Sequence, residues 1–120
     1  MSIKNILIVD DSKTEQVYLS QILLAEGYST QLASDAEEAQ KSIELKRPDL
    51  ILLDIVMPGQ SGFQFARALT RDAKYADIPI ILCTSKDQET DRVWGLRQGA
   101  KAYLVKPVQK IELLEKIRAL

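Results

Sequence analysis

The sequence predicts an α/β fold: one parallel sheet of five strands with helices on both faces. Short apolar runs alternate five times with longer helix-like stretches along the chain. Three of those runs are apolar throughout, as strands covered on both faces should be. Helix-start signals of the Ser-x-x-Glu/Gln kind fall between them. Strand–helix alternation implies parallel strands joined by right-handed crossovers, and five such strands most simply take the order 2-1-3-4-5.

The elements follow in chain order. The first strand is NILIV, Asn5–Val9, and it ends on Asp10-Asp11. Ser12 with Glu15 then opens a helix, which Gly27 closes. TQLA, Thr30–Ala33, is the second strand, and Ser34 with Glu37 opens the next helix. LILL, Leu50–Leu53, is the third strand and stops on a single carboxylate, Asp54. Pro58 and Gly59 turn the chain away, and Ser61 with Gln64 starts the third helix. IPIILC, Ile78–Cys83, is the fourth strand, followed by Thr84-Ser85. The helix after it has Gly95 near its middle, a cost of about 1 kcal/mol relative to Ala, and stops at Gly99. That glycine predicts a loosely held helix. AYLV, Ala102–Val105, is the fifth strand and runs into Lys106-Pro107. KIELLEKIRAL closes the sequence as an amphipathic helix with Ile111, Leu114 and Ile117 on one face.

At 120 residues, 46% hydrophobic and 28% charged, residues 1–120 make one domain with enough apolar material for one core. The net charge is −1. With acids and bases mixed along the chain, no basic stripe points to nucleic acid. The opening MSIKNILIVDD turns acidic after one short apolar run, unlike a signal peptide or a span of roughly 20 apolar residues. The single cysteine, Cys83, cannot form an internal disulfide, which points to a reducing cytoplasm. It ends an apolar strand and reads as an inert core residue rather than a redox sensor. The chain has no histidine. Histidine metal sites, histidine bases and Ser-His-Asp triads are therefore excluded.

In an open sheet of this order, ligands sit beyond the carboxyl ends of the strands, where strands 1 and 3 are neighbours. Asp10, Asp11, Asp54, Thr84 and Lys106 all fall at those ends. A lone polar residue at a strand end is commonly just solvated. Three neighbouring carboxylates instead repel one another until a cation neutralises them. Mg²⁺ is such a cation, binding through one or two carboxylates plus phosphate oxygens and water. With the Lys106 ammonium added, the corner suits a phosphoryl group.

VDDS, LLDIVMPG-x-x-G, CTS and VKP, in that order and spread over essentially all of the chain, resemble the receiver domain of two-component response regulators. The resemblance implies that Asp54 accepts phosphate from a histidine kinase and that Asp10, Asp11 and Asp54 bind Mg²⁺ with the backbone carbonyl of Val56. It implies that Lys106 contacts the phosphoryl oxygens, with Pro107 after a cis bond. Thr84 matches the switch hydroxyl and Tyr103 the aromatic that moves with it. The implied partners are a CheA-like histidine kinase and a downstream protein on the face of the fourth helix and fifth strand. A monomer is expected, with no membrane insertion and no output domain after the last helix.

Three competing functions fare worse. A haloacid-dehalogenase-type phosphatase needs Asp-x-Asp, and here Val56 stands in the second place. Nucleotide binding would need GxGxxG or a P-loop lysine, neither of which occurs. A degenerate scaffold would have lost one of the site residues. KDQETD-x-VWG-x-RQGA lies outside the phosphorylation motifs. It is similar to stand-alone receivers of the chemotaxis-like system that governs type IV pili and twitching motility. The alternatives are a receiver of another chemotaxis or phosphorelay pathway, or a phosphate sink for a shared kinase. Val56 is apolar where many receivers place a water-orienting polar group. Lys86 holds a second rate-tuning position. Trp94 reads equally as a partner anchor or as cover for the sheet. Lys101, Lys110, Lys116 and Arg118 read as a solvated face.

Overall fold

Residues 2–120 are described by a computed structural model of the chain. The strands are β1 (Asn5–Val9), β2 (Ser29–Ala33), β3 (Leu50–Leu53), β4 (Ile80–Thr84) and β5 (Ala102–Val105). The helices between and after them are α1 (Lys13–Ala25), α2 (Ala36–Leu45), α3 (Gly62–Thr70), α4 (Glu89–Arg97) and α5 (Lys110–Arg118). All strand pairs are parallel and the order is β2-β1-β3-β4-β5, as the alternation predicts.

Side chains alternate across the sheet because a strand has a period of two. Leu7, Val9, Ile51, Leu53, Ile80, Leu82 and Tyr103 meet Ala39, Ile43, Phe65 and Leu69 of α2 and α3. Ile6, Ile8, Leu50, Leu52, Ile81, Cys83 and Leu104 meet Leu19, Leu23, Leu113 and Ile117 of α1 and α5. Each fully buried Leu or Ile side chain contributes about 1.5–3 kcal/mol. That burial fixes the strands and hence the level at which each one ends. No helix among the described residues is long and apolar enough to cross a membrane.

Besides β2, which starts one residue early at Ser29, four sequence expectations shift. The second helix is capped by Asp35, which accepts from the Glu38 N–H, while Glu38 reaches back to the Ser34 N–H; the box sits one residue later than Ser34…Glu37. The fourth strand starts at Ile80 and takes in Thr84, because Pro79 has no N–H to donate to a ladder. The inner face of α5 is Leu113, Leu114 and Ile117, and Ile111 is 73% exposed.

The fourth shift concerns Gly95. It is the buried residue of α4, whereas Val93, Trp94 and Leu96 are 41%, 47% and 40% exposed. A Cβ at Gly95 would lie 2.6 Å from Leu82 Cδ1 and 3.1 and 3.2 Å from the Tyr103 ring. The glycine is thus the surface on which α4 approaches the sheet, more than a weak point in the helix. Gly95→Ala gains about 1 kcal/mol of helix propensity but must displace side chains in a full core, which costs about 1–3 kcal/mol. The expected net result is a lower urea midpoint. A higher midpoint would show that α4 rests on the sheet without needing this contact.

Asp49 ties the start of β1 to the start of β3: its Oδ2 accepts from the Lys4 and Asn5 N–H groups, both at 2.9 Å. Those bonds, Asn5 first and then Lys4, hold its carboxyl below the usual carboxylate range. A depressed folded-state pKa contributes stability above the unfolded value near 4, and that stability is lost as pH falls through the folded value. Asp49→Asn is therefore expected to cost about 0.5 kcal/mol at pH 7, a figure reduced for solvent screening. In urea titrations the gap between variant and parent should close as pH falls through the carboxylate range. A gap independent of pH would refute the charge-based account.

Candidate functional site

Register assembles the site. Val9 pairs with Leu53, so the next residues, Asp10 and Asp54, emerge side by side from β1 and β3. Asp10 N–H donates to Ala33 and Asp54 N–H to Val9, which continues the ladders one residue past the strands. Thr84 pairs with Val105, and Lys106 N–H donates to the Thr84 carbonyl at 2.8 Å. The Lys106–Pro107 bond is cis.

The Lys106 ammonium bridges the two carboxylates, at 2.7 Å from Asp10 Oδ2 and 3.2 Å from Asp54 Oδ2. Each carboxylate has a further anchor in the backbone. Asp10 Oδ1 accepts from the Ser12 N–H at 2.9 Å, and Asp54 Oδ1 accepts from the Ile55 N–H at 2.7 Å and the Val56 N–H at 3.4 Å. Asp10 and Asp54 are buried while Asp11 is exposed. Oxygens of all three nevertheless lie within 4.8 Å of one another.

Burial raises the pKa of Asp10, helped by the neighbouring Asp54 charge and opposed by the bonds from Lys106 and Ser12. Burial works to lower Lys106. The Asp10 bond and the two carboxylate charges outweigh it and hold the ammonium above its ordinary value. Three carboxylates against one ammonium leave an excess of negative charge, and their hard oxygen donors fit Mg²⁺.

Two sequence-predicted residues stand one step back. Thr84 is fully buried, and its Oγ1 accepts from the Lys86 N–H at 3.4 Å. Tyr103 lies inward, with its hydroxyl donating to the Lys86 carbonyl at 2.7 Å. Burial, and after it the Asp91, Asp54 and Asp87 charges, push its pKa up to about 12, so it stays a donor at any working pH. The backbone of Lys86 thus links Thr84 to Tyr103. Val56 is half exposed beside the site. Burial pushes the Cys83 thiol well up, in keeping with an inert core residue.

Sequence reading missed two positions that build the corner. Gln16 is buried, and its amide donates to the Asp10 carbonyl at 2.6 Å and the Ala33 carbonyl at 3.2 Å, pinning α1 to two strand ends. The available signal was a polar residue three before Leu19 and seven before Leu23 on the inward stripe of α1. Gly62 ends the quoted LLDIVMPG-x-x-G pattern, and a Cβ there would fall 2.1 Å from the Asp54 carbonyl oxygen. Its N–H donates to the Ile55 carbonyl at 2.9 Å, closing the loop onto the strand end.

Residues 6–118 match the family described as the response regulator receiver domain. The chain is 49% identical over 114 residues to the protein PilH of Pseudomonas aeruginosa, covering 95% of this chain and 94% of that one. It is 40% identical over 116 residues to the phosphate regulon transcriptional regulatory protein PhoB of the same organism, covering 97% of this chain and 51% of PhoB. Among solved structures, a putative response regulator from Chloroflexus aurantiacus superposes with a TM-score of 0.93 at 28% identity, covering 98% of this chain and 97% of that one. The Vibrio cholerae chemotaxis protein CheY4 superposes with a TM-score of 0.89 at 30% identity, covering 98% of each chain.

Gly62→Ala forces the Asp54 backbone to move, because the obstructing atom is a carbonyl and not a flexible side-chain end. The expected stability loss in urea is about 1–3 kcal/mol, with the Asp54 and Ile55 amide resonances displaced. Unchanged resonances would show that the loop yields instead of the strand end.

Proposed function

This chain belongs to the response regulator receiver domain family, and from that premise we propose that it is a stand-alone phosphorylation switch whose acceptor is Asp54. The observation that carries the proposal is the Lys106 ammonium held between Asp10 and Asp54 at the ends of neighbouring strands. A phosphoryl group arriving at Asp54 Oδ2 meets that positive charge at once. The phosphorus–nitrogen bond of a phosphohistidine breaks, the imidazole leaves, and a phosphorus–oxygen bond forms to Asp54. The product is a mixed anhydride open to attack by water.

Asp10, Asp11 and Asp54, with the Val56 carbonyl, would hold Mg²⁺, which when bound supplies charge neutralisation to the transferring group. The two backbone N–H groups on Asp54 Oδ1 orient the carboxylate so that its other oxygen is presented to the donor. Lys106 stabilises charge on the phosphoryl oxygens. Val56, apolar and half exposed, gives an attacking water no polar guide. Phosphorylation adds roughly −1.5 to −2 of charge at the site. Thr84 turns toward it, and Tyr103 with α4 responds through the shared Lys86 backbone and the Gly95 contact.

A CheA-like histidine kinase is the proposed donor, and a protein partner reads the face of α4 and β5. The protein acts as a cytoplasmic monomer without nucleic-acid binding. Similarity to PilH across nearly the whole of both chains supports a role in the chemotaxis-like control of type IV pili and twitching motility.

Intact mass after incubation with acetyl phosphate and Mg²⁺ is expected to show one added phosphate. Asp54→Asn or EDTA should abolish it. Labelling that survives Asp54→Asn would place the acceptor elsewhere, and labelling indifferent to EDTA would remove the metal from the reaction.

A further inference from the structure

Glu15 is a fourth carboxylate, outside the close cluster of three but near enough to feel the charges of Lys106, Asp10 and Asp54. It stands in the first turn of α1, three residues after the cap Ser12. A Ser-x-x-Glu box sends the glutamate back to the N–H of the cap residue. Here only half the box forms: the Ser12 hydroxyl accepts from the Glu15 N–H at 3.2 Å. The Ser12 N–H is taken by Asp10 Oδ1. Glu15 is thereby released from the cap, and its Oε1 is buried with no hydrogen-bond donor among the described residues.

A buried acceptor left without a donor costs about 1–3 kcal/mol, more when it is charged. Such an atom calls for a partner in some state of the protein. Burial raises the pKa of Glu15; of the charges around it, Lys106 favours the ionised form and Asp10 and Asp54 oppose it. An ammonium has three N–H donors, and Lys106 uses two, on Asp10 and Asp54. The donor with capacity to spare and the acceptor without a donor are thus close enough for their charges to act on one another.

We infer that Glu15 is a positioning residue for Lys106, receiving the ammonium when Asp10 turns to a divalent cation. The inference rests on the metal-binding reading above. Asp10 Oδ2 is committed to Lys106 in this structure, and one carboxylate oxygen serves an ammonium and a divalent cation poorly, because the two cations repel. Glu15 offers Lys106 a replacement anion nearby. The ammonium then stays beside Asp54, where the phosphoryl group arrives. Asp10 is relieved of it, and metal binding no longer leaves a partly buried lysine short of an anion.

The test is a Mg²⁺ titration followed by amide chemical shifts of the full chain, for the parent, Glu15→Gln, Lys106→Met and the double variant. Glu15→Gln is expected to weaken Mg²⁺ about fivefold in the parent, and less than about twofold once Lys106 is gone, because coupled residues are not additive. Glu15→Asp keeps the charge but is one methylene shorter, and it should behave like Glu15→Gln. An equal factor in both backgrounds, an Asp variant with full affinity, or no change in the parent would each overturn the role of Glu15. A parent chain that fails to bind Mg²⁺ would overturn the metal reading itself. Binding that Glu15→Gln leaves intact removes Glu15 alone.

Discussion

Everything at the functional end of this molecule depends on one ammonium shared by two buried carboxylates. Lys106 sits at the end of β5, Asp10 and Asp54 at the ends of β1 and β3, and β4 lies between β3 and β5. Two like charges cannot stay close in a low-dielectric corner without a counter-charge. Breaking a buried pair by removing one partner costs about 3–5 kcal/mol. The ion pair is therefore a local stabiliser and also, in the proposed reaction, the component that must rearrange. Its strength is limited by the burial that raises Asp10 and works against Lys106.

Close approaches of backbone hold the rest of the corner around that pair. Gly62 lets the loop after β3 lie against the Asp54 carbonyl, and Gly95 lets α4 lie against Leu82 and Tyr103. Gln16 binds the carbonyls that end the ladders of β1 and β2. These contacts divide the structure unequally. Helix α1 is fixed to two strand ends through Gln16, and α3 starts on a full capping box at Ser61. Helix α4 lacks a side-chain cap and buries only its glycine. Helix α4 is thus the less anchored neighbour of the site, with Tyr103 beneath its Gly95 and bonded to the Lys86 carbonyl.

The alternation of apolar runs with capped helices was enough to place all ten elements and the strand order, because burial on both faces leaves a clear mark on composition. The polar residues that end the strands were equally plain: Asp10, Asp54 and Lys106 are in contact, and Asp11 is close by. What stayed hidden was every feature that depends on one specific neighbour. Gly95 reads as a helix defect until Tyr103 is seen beneath it. Glu15 reads as half of a capping box until Asp10 is seen to occupy the cap. Ile111 shares a periodicity with Leu114, yet the sheet receives Leu113. Local pattern fixes which faces are apolar, and only tertiary contact decides which neighbour each residue meets.

The separation between Lys106 and Asp10 is 96 residues, and between Lys106 and Asp54 it is 52. A chain emerging from the ribosome thus exposes its acceptor carboxylate long before the lysine that completes the corner. Until the fifth strand docks at the edge of the sheet, Asp10 and Asp54 face each other with no internal counter-ion. The corner can be completed only once β5 has been made, with α5 alone still to follow. Its completion marks, in effect, that synthesis has passed β5 and that the sheet has closed in the right order.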